Sequence, residues 1–214
     1  MDKIKIIESL REVVKLKFEN EGSGHDYWHI VRVVNNAKAI ASKEGGDPFI
    51  IEVAAWCHDI GDHKLGDSES AEEQITRILI DLGLNQDLVN AVNEIVEGVS
   101  FKGAHVKTNP LTLEGKIVQD ADRLDAIGAV GIARCFSYSG HKGTLMHHPA
   151  RKPELHDNFE AYKNADGTAV MHFYEKLLLL KDRMQTDTGK AMAEDRHNYM
   201  ALFLKQFFSE WEGG

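Results

Sequence analysis

The stretch 48–59, PFIIEVAAWCHD, constrains the fold of this chain more than any other. Its apolar side chains fall almost all the way round a helical wheel. A helix of that kind has no face to offer water and belongs at the centre of a structure. Asp47 reads as its N-cap, with Pro48 at the first helical position. The helix ends on His58 and Asp59. Two polar groups buried at such a place cost several kcal/mol unless something satisfies them.

The remaining periodic stretches are also helical. Residues 3–19 place Ile6, Ile7, Leu10, Val13, Val14 and Phe18 on one face, and about 26–41 do the same with Ile30, Val33, Val34, Ala37 and Ile40. Ser70 and Glu73 form a capping-box pattern, opening a helix that stops near Gly83. Another helix covers about 86–98. A loop over 99–111 follows, and Thr112 then starts a helix running through IVQDADRLDAIGAVGIAR with Ile117, Val118, Ala121, Leu124 and Ile127 inward. Residues 137–166 are rich in Gly, His, Pro and Asn and predict a long irregular excursion. Two final helices are expected over about 167–185 and 188–211. No strand or hairpin pattern is present. The expectation is a compact all-α fold forming one domain over 1–214, with a core of about 20–135 and C-terminal helices of about 167–212 packed on it.

Charge and cysteine narrow the function. With 25 basic and 34 acidic residues the formal net charge is −9, which argues against broad binding to nucleic acid polymers. An anionic small molecule is still allowed, because a bound cation reverses the local field. The two thiols, Cys57 and Cys135, fit neither a disulfide framework nor a CxxC zinc site and read as buried apolar groups. No apolar run is long enough to span a membrane, and the N-terminus has charges among its apolar residues. A cytoplasmic protein is expected.

The chemistry-bearing residues come in three groups on three predicted helices: His25, Asp26 and His29; His58 and Asp59; Asp120, Asp122 and Asp125. Each group lies at a helix end or faces inward. One divalent cation satisfies buried imidazole nitrogens and carboxylate oxygens together. The competing interpretation takes each residue singly. A lone buried histidine is more often hydrogen-bonded core than ligand, a His-Asp dipeptide recurs at His156-Asp157, and His25 and His29 lie one turn apart as a surface pair also can.

The ordered set H…HD…D resembles the signature of the HD superfamily of metal-dependent phosphohydrolases. GHDYWHIVRV, AAWCHDIGD, LEGKIVQDADRLDAIGAVGIAR and HFYEKLLLLKDRM are similar to segments of small bacterial HD hydrolases of the YedJ/YpgQ-like group, and the helix around Arg196-His197 also fits. The resemblance implies an all-α HD-domain fold and a single Mn, Mg, Ni or Co ion. It implies hydrolysis of a phosphate ester or anhydride, with nucleotides as substrates. It matches His29 to the first ligand, His58 and Asp59 to the HD pair, and Asp122 to the last ligand. Asp120 and Asp125 are second choices, and His25 and Asp26 are assigned to support His29.

Asp62 lies three residues beyond Asp59 and is the candidate general acid/base, provided the helix persists past Gly61. Some HD nucleotidases have an acid at this offset. Lys64 is the candidate phosphate contact, and Arg32 and Arg123 could serve likewise or be surface ion-pair partners. The basic residues of 137–152 suit either a lid over phosphates or a solvated loop. Two alternatives stay open. A di-iron oxygenase would need further histidines, for which only His63 and His105 are placed. A non-catalytic, metal-stabilised nucleotide-binding module would need a closed coordination shell. The aromatic C-terminal helix, with Phe203, Phe207, Phe208 and Trp211, can pack on the core or on a second copy, which leaves a homodimer open.

Overall fold

The apolar segment at 48–57 does form the hub of its surroundings. In a computed structural model that describes residues 2–19, 26–61, 69–99, 111–154 and 167–214, the helices are α1 (Lys3–Phe18), α2 (Tyr27–Glu44), α3 (Pro48–Cys57), α4 (Ala71–Asp81), α5 (Gln86–Val99), α6 (Leu113–Asp125), α7 (Gly128–His141), α8 (Ala169–Glu175) and α9 (Asp187–Trp211). No strand occurs among the described residues. The chain divides into two compact units, the first comprising α1 to α5 with α6 as far as Ala121, the second running from Asp122 onward.

In the first unit α3 packs against α1, α2 and α5, and α4 packs on α5. Val53, Ala54, Ala55 and Cys57 of α3 are fully buried with Leu10, Val14, Ile30, Ala37 and Val89. Asp47 caps α3 by accepting from the amides of Phe49 and Ile50. Ser70 and Glu73 make the reciprocal capping box at the start of α4. Side chains then tie α6 to its neighbours. Glu114 accepts from the Asp47 amide at 3.1 Å, Gln119 donates to the Gly98 carbonyl at 3.0 Å, and Asn36 of α2 donates to the Ala121 carbonyl at 3.2 Å.

In the second unit α7 packs on α8 and α9. Phe136, Phe173, Phe203 and Phe207 build an aromatic core with ring centroids about 6 Å apart. Both cysteines are free and buried, as their isolation in the sequence predicts. Among the described residues no helix is long and apolar enough to cross a membrane.

Three expectations are corrected. The helix from Thr112 does not run through Arg134. It stops at Asp125, Ile127 is extended (φ −126°, ψ 168°), and α7 begins at Gly128 with φ +75°. Glycine is required at this corner, where a positive φ is disfavoured for other residues. The predicted excursion over 137–166 begins late, since α7 persists to His141. The helix expected over 167–185 is instead α8 followed by two 3₁₀ turns, Leu177–Leu179 and Lys181–Arg183. Lys176 breaks it at φ −140° and ψ −59°, and three-residue turns then bury Leu177 and Leu180 together.

The two glycines of α7 predict opposite responses. A Cβ on Gly131 would lie 2.3 Å from the Ala126 carbonyl oxygen, whereas one on Gly140 meets nothing within 4 Å. Urea unfolding should show Gly131→Ala destabilising by more than about 1 kcal/mol and Gly140→Ala neutral or stabilising by up to about 1 kcal/mol. Equal effects at the two positions would contradict this packing of the α6–α7 corner.

Candidate metal centre

The end of α3 and the start of α2 bring three side chains to one point. α3 loses its helical hydrogen bonding at Cys57, His58 is its C-cap, and the chain turns through Asp59 and Ile60 to Gly61 at φ +79°. Gly61 is needed for a second reason: a Cβ there would lie 2.3 Å from the Ala71 Cα at the start of α4. On α2, His29 sits in the first turn, and its backbone amide donates to Asp26 Oδ1 at 2.7 Å. Asp26 therefore supports His29 as an N-cap acting on the backbone, where the sequence suggested support of the imidazole ring.

His29 Nε2 and His58 Nε2 are 3.3 Å apart. Asp59 places Oδ2 at 3.4 Å from the first and Oδ1 at 3.6 Å from the second. The side chains of His29 and His58 are 1% and 2% exposed, and that of Asp59 is 12% exposed. This triplet is the group of metal-ligating side chains found among the described residues.

The hydrogen bonding of His58 decides what the triplet can hold. His58 Nδ1 lies 2.8 Å from the Ala55 carbonyl oxygen, an acceptor, so Nδ1 carries the hydrogen. In neutral His58 the Nε2 atom is then a lone-pair donor to a metal, aimed at His29 Nε2 and at a carboxylate. Where His29 Nε2 presents a lone pair as well, three electron-rich atoms face one another in a nearly buried site, and a positive charge between them, a shared proton or a cation, offsets their repulsion. Two nitrogens at that 3.3 Å separation subtend about 100° at a cation roughly 2.1 Å from each, within the range of tetrahedral or octahedral coordination. A backbone carbonyl holding the far nitrogen is also the usual device that orients a histidine ligand. The donor set fits a divalent cation.

The other predicted residues fall as follows. Asp122 is on α6, half-buried, at the first position of the second unit. Asp120 is fully buried, and Asp125 forms an ion pair with Arg134 at 2.7 Å. His25, Asp62, His63, Lys64, His105 and the second His-Asp pair at 156–157 lie outside the described residues. The helical-spacing argument for Asp62 does not hold, because α3 ends at Cys57. Cys57, next to the pair, is not a nucleophile: burial pushes its thiol up to about 12. In the irregular stretch after α7, His147 stands edge-on to Trp211 at 4.8 Å and to Phe208 at 5.3 Å, packed on the end of α9. Sequence reasoning missed the orienting role of the Ala55 carbonyl, since backbone acceptors leave no mark in residue identity.

Known proteins match this chain along its length. Residues 27–127 match the HD-domain family. Over 215 residues the chain is 39% identical to the protein YpgQ of Bacillus subtilis (strain 168), covering 100% of this chain and 97% of that protein. The crystal structure of YpgQ in complex with ADP aligns with a TM-score of 0.81 at 37% identity, over 98% of this chain and 97% of that one. A crystal structure from Lactobacillus plantarum aligns with a TM-score of 0.86 at 37% identity, over 98% of each chain. An HD-superfamily hydrolase from Bacillus thuringiensis aligns at 0.79 and 39% identity, over 99% of this chain and 100% of that one.

Divalent cation should therefore stabilise the folded chain. At a hundredfold excess over the dissociation constant the gain is about 2.7 kcal/mol, visible as a rise in Tm with added Mn or Ni. His58→Ala and Asp59→Ala should each remove most of that rise. A wild-type Tm that ignores millimolar divalent ions would count against a cation at this triplet.

Proposed function

We propose that this chain, which belongs to the HD superfamily of metal-dependent phosphohydrolases and to its YpgQ-like branch, hydrolyses a phosphate ester or anhydride of a nucleotide at one divalent cation. His29, His58 and Asp59 are three of the proposed ligands. The observation that carries the reading is their convergence at 3.3 to 3.6 Å in a nearly dry site. Asp122 is proposed as the fourth ligand because it occupies the position of the last aspartate in the H…HD…D order. The nucleotide is supported by the YpgQ structure in complex with ADP, a relative aligning over nearly all of this chain.

When bound, the cation supplies Lewis acidity that activates a water and draws charge from the phosphoryl group. The protein's own residues set the geometry. The Ala55 carbonyl holds the hydrogen of His58 on Nδ1, so in the neutral ring the lone pair is on Nε2. Asp59 brings negative charge to the two imidazoles and offsets one unit of the cation's charge. Asp26 fixes the first turn of α2 and with it the backbone of His29. Asp62 is proposed to move the proton and Lys64 to contact the phosphates. Both assignments rest on their places just after the HD pair.

The test is release of phosphate and pyrophosphate from nucleoside mono-, di- and triphosphates with Mn, Mg, Co and Ni. Asp59→Ala should lower kcat/KM more than about a hundredfold, since losing a mere support of a metal ligand already costs about 10–100-fold. The product distinguishes monoester from anhydride cleavage. If metal-loaded wild type turns over none of these compounds, the nucleotide hydrolase is wrong and a binding module is favoured.

A further inference from the structure

Each histidine of the triplet is anchored to a residue that directly precedes an aromatic. His58 Nδ1 donates to the Ala55 carbonyl at 2.8 Å, and that carbonyl shares a planar peptide with the nitrogen of Trp56. The His29 amide donates to Asp26 Oδ1 at 2.7 Å, and the next residue after Asp26 is Tyr27. Tyr27 and Trp56 then meet across the two helices. Their rings stack with centroids 6.2 Å apart and planes at 23°. All of these residues belong to the first unit, at the start of α2 and the end of α3.

Residues two apart on a helix point to nearly opposite sides, since each residue turns the helix by about 100°. The aromatic pair and the histidine pair therefore flank the junction of α2 and α3 from two sides. On one side Arg11 of α1 joins the aromatic pair, its Nε donating to the Tyr27 hydroxyl at 2.9 Å. On the other side the two Nε2 atoms stand 3.3 Å apart. Tyr27 and Trp56 are each only 4% exposed. Trp56 Nε1 makes no hydrogen bond among the described residues, which is costly for a buried donor. A phenylalanine or leucine there would bury apolar surface without that cost. What tryptophan adds is a wide flat face, and Tyr27 is the ring that stacks on it.

We infer that Tyr27 and Trp56 are positioning residues for the His29–His58 pair: their stack fixes the spacing of the two helix ends and, through the Ala55–Trp56 peptide, the carbonyl that holds the His58 hydrogen on Nδ1. For its effect on a cation the inference rests on the reading of the triplet as a metal centre. Its effect on the His58 hydrogen needs no metal. Metal ligands must be held to within about half an ångström. Buried rings with only two side-chain torsions set a distance that longer, more flexible side chains would leave loose. Tyr27 and Trp56 act through the two histidines.

The experiment has two arms, both on the metal-free full chain. The first is calorimetric titration with manganese ion. Tyr27→Leu and Trp56→Leu should each weaken binding about tenfold or more, the lower end for groups that orient a ligand. Tyr27→Phe, which keeps the ring, should recover most of the loss. Ile40→Ala removes buried core near the far end of α2 and should lower Tm with affinity unchanged. The second arm is NMR of nitrogen-15-labelled histidine above the ordinary histidine pKa of about 6.5. Wild-type His58 should carry its hydrogen on Nδ1, and Trp56→Leu should add the Nε2–H form. Should Trp56→Leu not fold, Trp56→Phe takes its place, with a smaller change in the same direction. Undiminished affinity and an unchanged His58 tautomer in the leucine variants overturn the inference and leave the metal centre standing. A loss of affinity matched by Ile40→Ala also overturns it, since general loosening of the fold then accounts for the effect. If the wild type binds no manganese, the metal reading fails, and the tautomer alone decides the role of the stack.

Discussion

Two imidazole nitrogens 3.3 Å apart, with a carboxylate beside them and little exposure to solvent, are the constraint on which the first unit depends. Burial costs each of these polar groups its hydration, and any lone pairs that face one another there repel. A divalent cation converts the same geometry into an attractive one, and the low local dielectric that made the empty arrangement costly strengthens the bound one. A helix packed on α1, α2 and α5 excludes water from its end as well as from its sides.

Helix ends supply every fixed element of the centre. His58 is the C-cap of α3, and its ring returns to the Ala55 carbonyl, which that cap leaves available. His29 belongs to the first turn of α2, whose amide is held by the Asp26 cap. Gly61 turns the chain away at φ +79° and allows close approach to Ala71. Groups at helix ends have backbone partners within reach, as the Ala55 carbonyl is for His58, so that ring is oriented without a further side chain.

The legible parts of the sequence were those with a period or a local signature. The buried faces of α2 and α6 follow from 3.6-residue spacing, and all ten inward positions expected there are buried: Ile30, Val33, Val34, Ala37, Ile40, Ile117, Val118, Ala121, Leu124 and Ile127. The Asp47-Pro48 start and the Ser70–Glu73 box also form as expected. The same periodicity misled at Ile127. Its inward position is right, yet the chain breaks there: the period continues across the corner, while Gly128 and Gly131 leave room for the Arg196 stem and the Ala126 carbonyl in the turn. The Leu177–Leu180 run failed for a related reason. Spacing of three is common to an α-helix and a 3₁₀ turn, and packing of Leu177 and Leu180 selected the latter. At the metal centre the order of His and Asp residues was readable. The acceptor that sets the tautomer of His58 was not, being a backbone atom.

The acidic composition bears on substrate recognition. A chain with 34 acidic and 25 basic residues repels a nucleotide polyanion at long range. At physiological salt that repulsion is screened beyond about 8 Å. Recognition then depends on what the protein concentrates within that distance. With Asp59 and the proposed ligand Asp122 the two carboxylates balance the charge of one divalent cation, so what the centre would offer a phosphate is open coordination positions rather than net positive charge. A long nucleic acid would need a continuous basic face to gain affinity along its length. A mononucleotide needs only a cation with positions open to phosphate oxygens and a few neighbouring donors. The net charge that disfavours polymers is therefore compatible with a small phosphorylated substrate, provided the cation is in place before the phosphate arrives.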